Sequence, residues 1–188
     1  MPSDLPLTYW DACVPLSYVN GIPERVQHIE PLMHKSGKEF QIVTSVLSIT
    51  EVAFAATEQA KRVLDPDTEE KIAKLWRPGS PILMVDFYEL IALRAQRLMR
   101  AAIIKGWSLK PADAIHLATA DQLKVLEFHT YDNELDKYSE LTESKFPIIR
   151  PISPTPHLEL KATPAPSAEP ASPQGQTPPP ARAPGTTE

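Results

Sequence analysis

The sequence predicts a three-layer α/β fold, with a central parallel sheet flanked on both faces by helices. Two observations carry this. Short apolar, strand-like runs alternate with longer helix-like segments through the first 150 residues, an alternation that needs crossover connections between parallel strands. The helix-like segments also start and stop on recognisable signals: serine, threonine or proline at the start and glycine at the end. In such folds ligands bind beyond the carboxyl ends of the strands, so residues at those ends carry the chemistry.

Leu5 to Trp10 is short, apolar and aromatic, and suits a strand. Ala12 to Asn20 reads as a helix stopped by Gly21, and Glu24 to Ser36 as a second, bent at Pro31. Phe40 to Thr44 is the second strand. Ser48-Ile49-Thr50-Glu51 has the form of a capping box and opens a helix through about Leu64. Asp67-Thr68-Glu69-Glu70 opens another, ending near Trp76. Ile82 to Val85 is the third strand, and Phe87 to Lys105 a long amphipathic helix stopped by Gly106. Pro111 sits in the first turn of a helix running to about Lys124. Val125 to Thr130 is the fourth strand, Asn133 to Thr142 a short helix, and Ile148-Ile149 an edge strand.

The folded domain is expected over residues 1–150 and a proline-rich tail over 151–188, where 11 of the 21 prolines fall. So many prolines and so few apolar groups predict a disordered, partly polyproline-II segment. It serves as a spacer or as a ligand for a proline-reading domain. The net charge is −5, and up to Arg150 there are 17 basic against 21 acidic residues. That balance argues against holding nucleic acid on a broad basic surface. It is compatible with a nuclease whose cations are metal ions. The lone Cys13 excludes an intrachain disulfide, the N-terminus lacks the pattern of a signal peptide, and no run is long enough to span a membrane. The expected location is the cytoplasm.

Four acids occupy the carboxyl edge of this scheme. Asp11 follows the first strand and Asp132 the fourth; Glu51 and Asp113 fall in the first turns of helices that start at the same edge. Each has a plain structural role available, as helix cap, dipole partner or turn former. Those roles do not explain why all four recur at one end of the sheet. Crowded carboxylates repel unless a cation neutralises them. Mg²⁺ and Mn²⁺ take such oxygen ligands, and can acidify a water and offset charge on a phosphate.

The series Thr8-Tyr9-Trp10-Asp11-Ala12, Thr44-Ser45-Val46-Leu47-Ser48-Ile49-Thr50-Glu51-Val52, Pro111-Ala112-Asp113-Ala114-Ile115-His116-Leu117-Ala118-Thr119-Ala120 and Thr130-Tyr131-Asp132 resembles the PIN-domain family. It looks most like the VapC-type toxins of toxin–antitoxin pairs. The likeness covers about residues 5–150, and PADAIHLATA is its most specific piece. It implies a PIN-like (Rossmann-like) fold and hydrolysis of RNA phosphodiesters with Mg²⁺ or Mn²⁺, leaving a 5′-phosphate and a 3′-hydroxyl. Asp11, Glu51, Asp113 and Asp132 would be the catalytic and metal-holding residues. A homodimer and a cognate antitoxin would be the protein partners. The added helix around Asp67 to Trp76 and the proline-rich tail depart from the compact toxin pattern. The alternative is a PIN-like module or adaptor that binds RNA or protein with little catalysis.

Ser45, Thr130 and Asn133 stand beside the acids and could bond them or a metal-bound water. His116 follows Asp113 by one helical turn, where it packs or helps hold a phosphate. Arg94, Arg97 and Arg100 recur at a three-residue step, with Lys105 and Lys110 beyond, as a solvated face or a basic stripe for RNA. Ile91, Leu98 and Ala102 suit a core or a dimer contact. Trp10, Trp76 and Trp107 read as core or interface. Other chemistries are excluded: there is no glycine-rich phosphate loop, no serine in a nucleophile elbow, and Cys13 stands where an aspartyl-phosphate enzyme needs its second aspartate.

Overall fold

The computed structural model describes residues 5–153. The expectations for the tail beyond Ser153 therefore lie outside the described residues. Five strands form one all-parallel sheet in the order β3-β2-β1-β4-β5: β1 Leu7–Trp10, β2 Gln41–Ser45, β3 Ile82–Val85, β4 Glu127–His129 and β5 Ile148–Ile149. The helices are α1 Cys13–Val19, α2 Pro23–Lys35, α3 Leu47–Glu51, α4 Ala56–Lys61, α5 Pro66–Trp76, α6 Glu89–Ile104 and α7 Pro111–Leu123, with a 3₁₀ turn over Asp136–Leu141.

Successive strand residues point to opposite faces, which divides the core in two. Tyr9, Val43 and Phe128 pack with α6 and α7 on one face. Trp10 and Ile42 pack with α1, α2 and α5 on the other. The three-layer expectation holds. So do the predicted stops, where Gly21 and Gly106 take the left-handed conformation that a side chain would strain.

Several local expectations are corrected. The single helix from Ser48 to about Leu64 is two, α3 and α4, broken at Val52. The break is held by Glu58, whose buried carboxylate accepts the N–H of Ala55 at 2.8 Å and of Asp65 at 2.7 Å. Those bonds satisfy donors that a continuous helix would have paired. Ser48 is inside α3 rather than capping it, its hydroxyl 2.7 Å from that of Thr44. Glu51 accordingly closes α3 instead of lying in its first turn. The cap of α5 is Asp65, which accepts from the Thr68 N–H, and Pro66 follows as its first residue. Ile91, Leu98 and Ala102 are core residues, so that stripe is unavailable for a dimer. The short helix expected over Asn133 to Thr142 is the 3₁₀ turn.

Candidate active site at the carboxyl edge

β1 is central, with β2 on one side and β4 on the other. The chain builds outward from β1 to β3, then returns to add β4 and β5. The reversal puts the topological switch point between the carboxyl ends of β1 and β4, the place where open α/β sheets bind ligands. Asp11 emerges there from β1, and Thr130-Tyr131-Asp132 from β4.

Asp11 is held from every side. Its N–H donates to the His129 carbonyl at 3.0 Å. Its Oδ1 accepts from the Ala12 N–H at 2.8 Å, and its Oδ2 from the Thr130 hydroxyl at 2.9 Å. The Thr130 hydroxyl oxygen also accepts the Asp132 N–H at 3.0 Å, so one side chain spaces two of the acids. Asp132 is exposed and accepts the Glu134 N–H at 2.8 Å, an Asx turn that aims its carboxylate.

His116 connects the remaining pieces. The ring is fully buried, with Nδ1 2.8 Å from Tyr9 Oη, Nε2 2.7 Å from Glu51 Oε2 and Nε2 3.8 Å from Asp11 Oδ1. Tyr9 Oη already accepts the Ser45 N–H at 3.0 Å. In the neutral ring its own proton goes to Nδ1, leaving the Nε2 proton for Glu51. Burial works against a second proton on the ring, but the Glu51 bond and the charges of Asp11, Glu51 and Asp113 outweigh it and raise the pKa above the ordinary histidine value. The expectation of a packed histidine is right about burial and omits this connecting role.

Asp113 lies in the first turn of α7, partly buried. Its carboxyl pKa is raised, first by burial and then by the charges of Asp11 and Asp132, with Lys110 and His116 opposing. Those charges register the three aspartates as one electrostatic group. Glu51 joins them through His116. Among the described residues no three His, Cys, Asp or Glu side chains close on a point suited to one ion. The donor set is nonetheless all oxygen, mutually repelling and partly desolvated. That fits Mg²⁺ or Mn²⁺, which keeps several waters between itself and its protein ligands.

Of the flanking residues, Thr130 braces the acids as expected. Ser45 instead accepts the Leu47 N–H at 3.2 Å, and Asn133 accepts from Arg150 at 2.8 Å. The basic stripe on α6 is interrupted: Arg94 is bound to the buried Asp121 at 2.8 Å, and Lys105 to Glu140. Cys13 lies 3.2 Å from the Thr130 hydroxyl, and burial followed by the Asp11 charge pushes its thiol far above the ordinary range, so it is no nucleophile. Tyr9 is the contributor that sequence reasoning missed. A tyrosine at the centre of a buried strand needs a partner for its hydroxyl, and that need was the available signal.

The family model described as "PIN domain" matches residues 8–141. No curated protein matches the sequence. Among solved structures, the chain is similar to VapBC2 from Rickettsia felis bound to a DNA fragment from their promoter, with TM-score 0.56, 12% identity, and 76% of this chain and 96% of that chain covered. It is also similar to FitAcB from Neisseria gonorrhoeae, with TM-score 0.54, 14% identity, and 77% and 97% covered. FitAB bound to an IR36 DNA fragment gives TM-score 0.53 at 16% identity, with 80% and 99% covered. At these identities the likeness is one of fold.

Proposed function

The chain belongs to the PIN-domain family, and from that premise we propose that it is a Mg²⁺- or Mn²⁺-dependent ribonuclease, the toxin of a toxin–antitoxin pair. What supports this reading is that Thr130 ties Asp11 to Asp132 and His116 ties Glu51 to Asp11 at the carboxyl edge, with Asp113 in the field of the first two. The fold of VapBC2 from Rickettsia felis supports the VapC-type assignment.

Asp11, Asp113 and Asp132 would hold the ion, directly or through water. When bound, it would acidify a water and offset charge on the scissile phosphate. Thr130 keeps Asp11 and Asp132 in place with its single hydroxyl. Glu51 has one oxygen fixed by His116 and the other free, so it orients the attacking water and accepts its proton. The water oxygen bonds to phosphorus as the bond to the 3′-oxygen breaks and that oxygen takes a proton from solvent, leaving a 5′-phosphate and a 3′-hydroxyl. The homodimer and the antitoxin need apolar surface, and Leu83, Phe87, Tyr88, Leu90 and Leu93 offer it around β3 and the start of α6, each exposed.

The test is cleavage of a fluorogenic single-stranded RNA in Mn²⁺ or Mg²⁺, with EDTA and Asp113→Asn as controls. Metal-dependent cutting lost in the variant is expected. The alternative is a PIN-like module or adaptor that binds RNA or protein without appreciable catalysis. Calorimetry separates the two: a chain that neither cuts RNA nor binds Mn²⁺ is the binding module.

A further inference from the structure

RNA is a polyanion, and a site built of acids repels it unless cations stand alongside. Two arginines stand beside Tyr131, the residue between Thr130 and Asp132. Arg25, in the first turn of α2, lies over the Tyr131 ring, its guanidinium carbon 4.1 Å from the ring centroid. Its Nη1 donates to the Ser17 hydroxyl at 2.9 Å, and that hydroxyl donates to the Cys13 carbonyl at 2.6 Å. Arg150, just after β5, donates to Asn133 Oδ1 at 2.8 Å, and its charge reaches the same phenol. The Tyr131 N–H donates to Cys13 Sγ at 3.1 Å, which ties the ring to the start of α1 beside Asp11.

Neither arginine has a carboxylate partner among the described residues, as is also true of Arg62, Arg97 and Arg100; Arg77 and Arg94 are paired. Arg25 is also pre-set. The ring contact and the Ser17 bond hold its guanidinium, and that bond uses one of its five N–H donors. The remaining edge is the planar fork that matches a phosphate. Little side-chain freedom is left to lose on binding. The Tyr131 hydroxyl is buried without a partner, so the ring serves through its face rather than its oxygen.

We propose that Arg25, held on the Tyr131 ring and backed by Arg150, binds the RNA backbone next to the acidic residues and so sets the side from which the strand enters. This rests on the ribonuclease reading. RNA then runs along the edge formed by α2 and the end of β4, crossing the switch point between β1 and β4. The arginines supply affinity and direction, and the acids supply the chemistry.

The test is anisotropy of a fluorescein-labelled single-stranded RNA bound to the full chain in Ca²⁺, at about 50 to 200 mM salt, with cleavage in Mn²⁺ measured alongside. Arg25→Ala is expected to weaken binding about tenfold. It should also make the log–log salt slope shallower by about 0.7, one single-strand phosphate contact. Arg25→Lys should keep the slope and bind more weakly, since the charge stays and the planar fork is lost. Arg150→Ala, at an exposed position that leaves folding intact, should shift the slope in the same direction. A merely structural arginine would move the melting temperature and leave the slope alone. Unchanged slopes in Arg25→Ala and Arg150→Ala, with the wild type still cutting, overturn the arginine assignment and leave the nuclease standing. A wild type that neither binds nor cuts RNA overturns both.

Discussion

Replacing His116 with alanine would remove the piece that joins Tyr9, Glu51 and Asp11. The ring is fully buried, so the loss is not softened by solvent. The bond to Tyr9 is between neutral groups and is worth about 1 kcal/mol; the bond to the Glu51 carboxylate is worth about 1.5–3 kcal/mol. The void left by the ring adds to both, for a total of about 3–5 kcal/mol. In a domain of this size the melting temperature should fall by about 10 °C. Urea denaturation is the direct assay: the midpoint should drop with the slope m unchanged. Tyr9→Phe takes away the hydroxyl alone, and the double-mutant cycle with His116→Ala should give a coupling of about 1 kcal/mol. A loss below about 1 kcal/mol, or a coupling of zero, would refute the claim that His116 is the connector. Cleavage should fall further than stability explains, because Glu51 is then free to turn away from the other acids.

Asp11→Asn should fold and yet leave RNA uncut, since the amide oxygen keeps one bond while the charge is gone; retained cutting in the purified variant would sink the carboxylate mechanism. Asp121→Ala should cost about 3 kcal/mol in a thermal melt, because it strands the Arg94 guanidinium and the Ser144 N–H that donates to it at 2.8 Å; a change under about 1 kcal/mol would show the clip to be dispensable. His129 has its pKa lowered, first by burial, with Glu127 opposing, and its Nδ1 accepts the Trp10 N–H at 3.2 Å, which a protonated ring could not do. The unfolded chain therefore binds this proton more readily than the folded one, so stability is full above the ordinary histidine pKa and falls as pH drops below it toward the folded value. His129→Asn keeps an acceptor for Trp10 and does not titrate, so its urea midpoint should fall less between neutral and mildly acidic pH than that of the wild type; equal falls would refute the assignment.

Much of the architecture was legible because its signals are local. Ile82 to Val85 is a strand in sequence and in structure alike, since an apolar run bounded by turn residues has no better option. Gly21 and Gly106 stop helices because only glycine takes that backbone without strain. The acids at strand ends could be placed because position after a parallel strand fixes the edge they occupy. What was hidden is non-local. Glu58 fixes the break after Val52 by turning its buried carboxylate back to the Ala55 N–H, while its other oxygen takes the Asp65 N–H beyond α4, bonds that propensity does not encode. Arg94 reads as part of a basic stripe until Asp121, 27 positions away, takes its charge. His116 reads as packing until the neighbours of Tyr9 and Glu51 are known.

Chain order decides when the site can form. Asp11 is made before the Thr130 hydroxyl that fixes it, which comes 119 positions later. The central strand β1 likewise waits for β4 before it has both neighbours. Contacts this far apart in sequence close late and slowly. A growing or truncated chain that stops short of β4 therefore carries Asp11, Glu51 and Asp113 but neither Asp132 nor the Thr130 brace. The arrangement of the site is complete only once the fourth strand is in place.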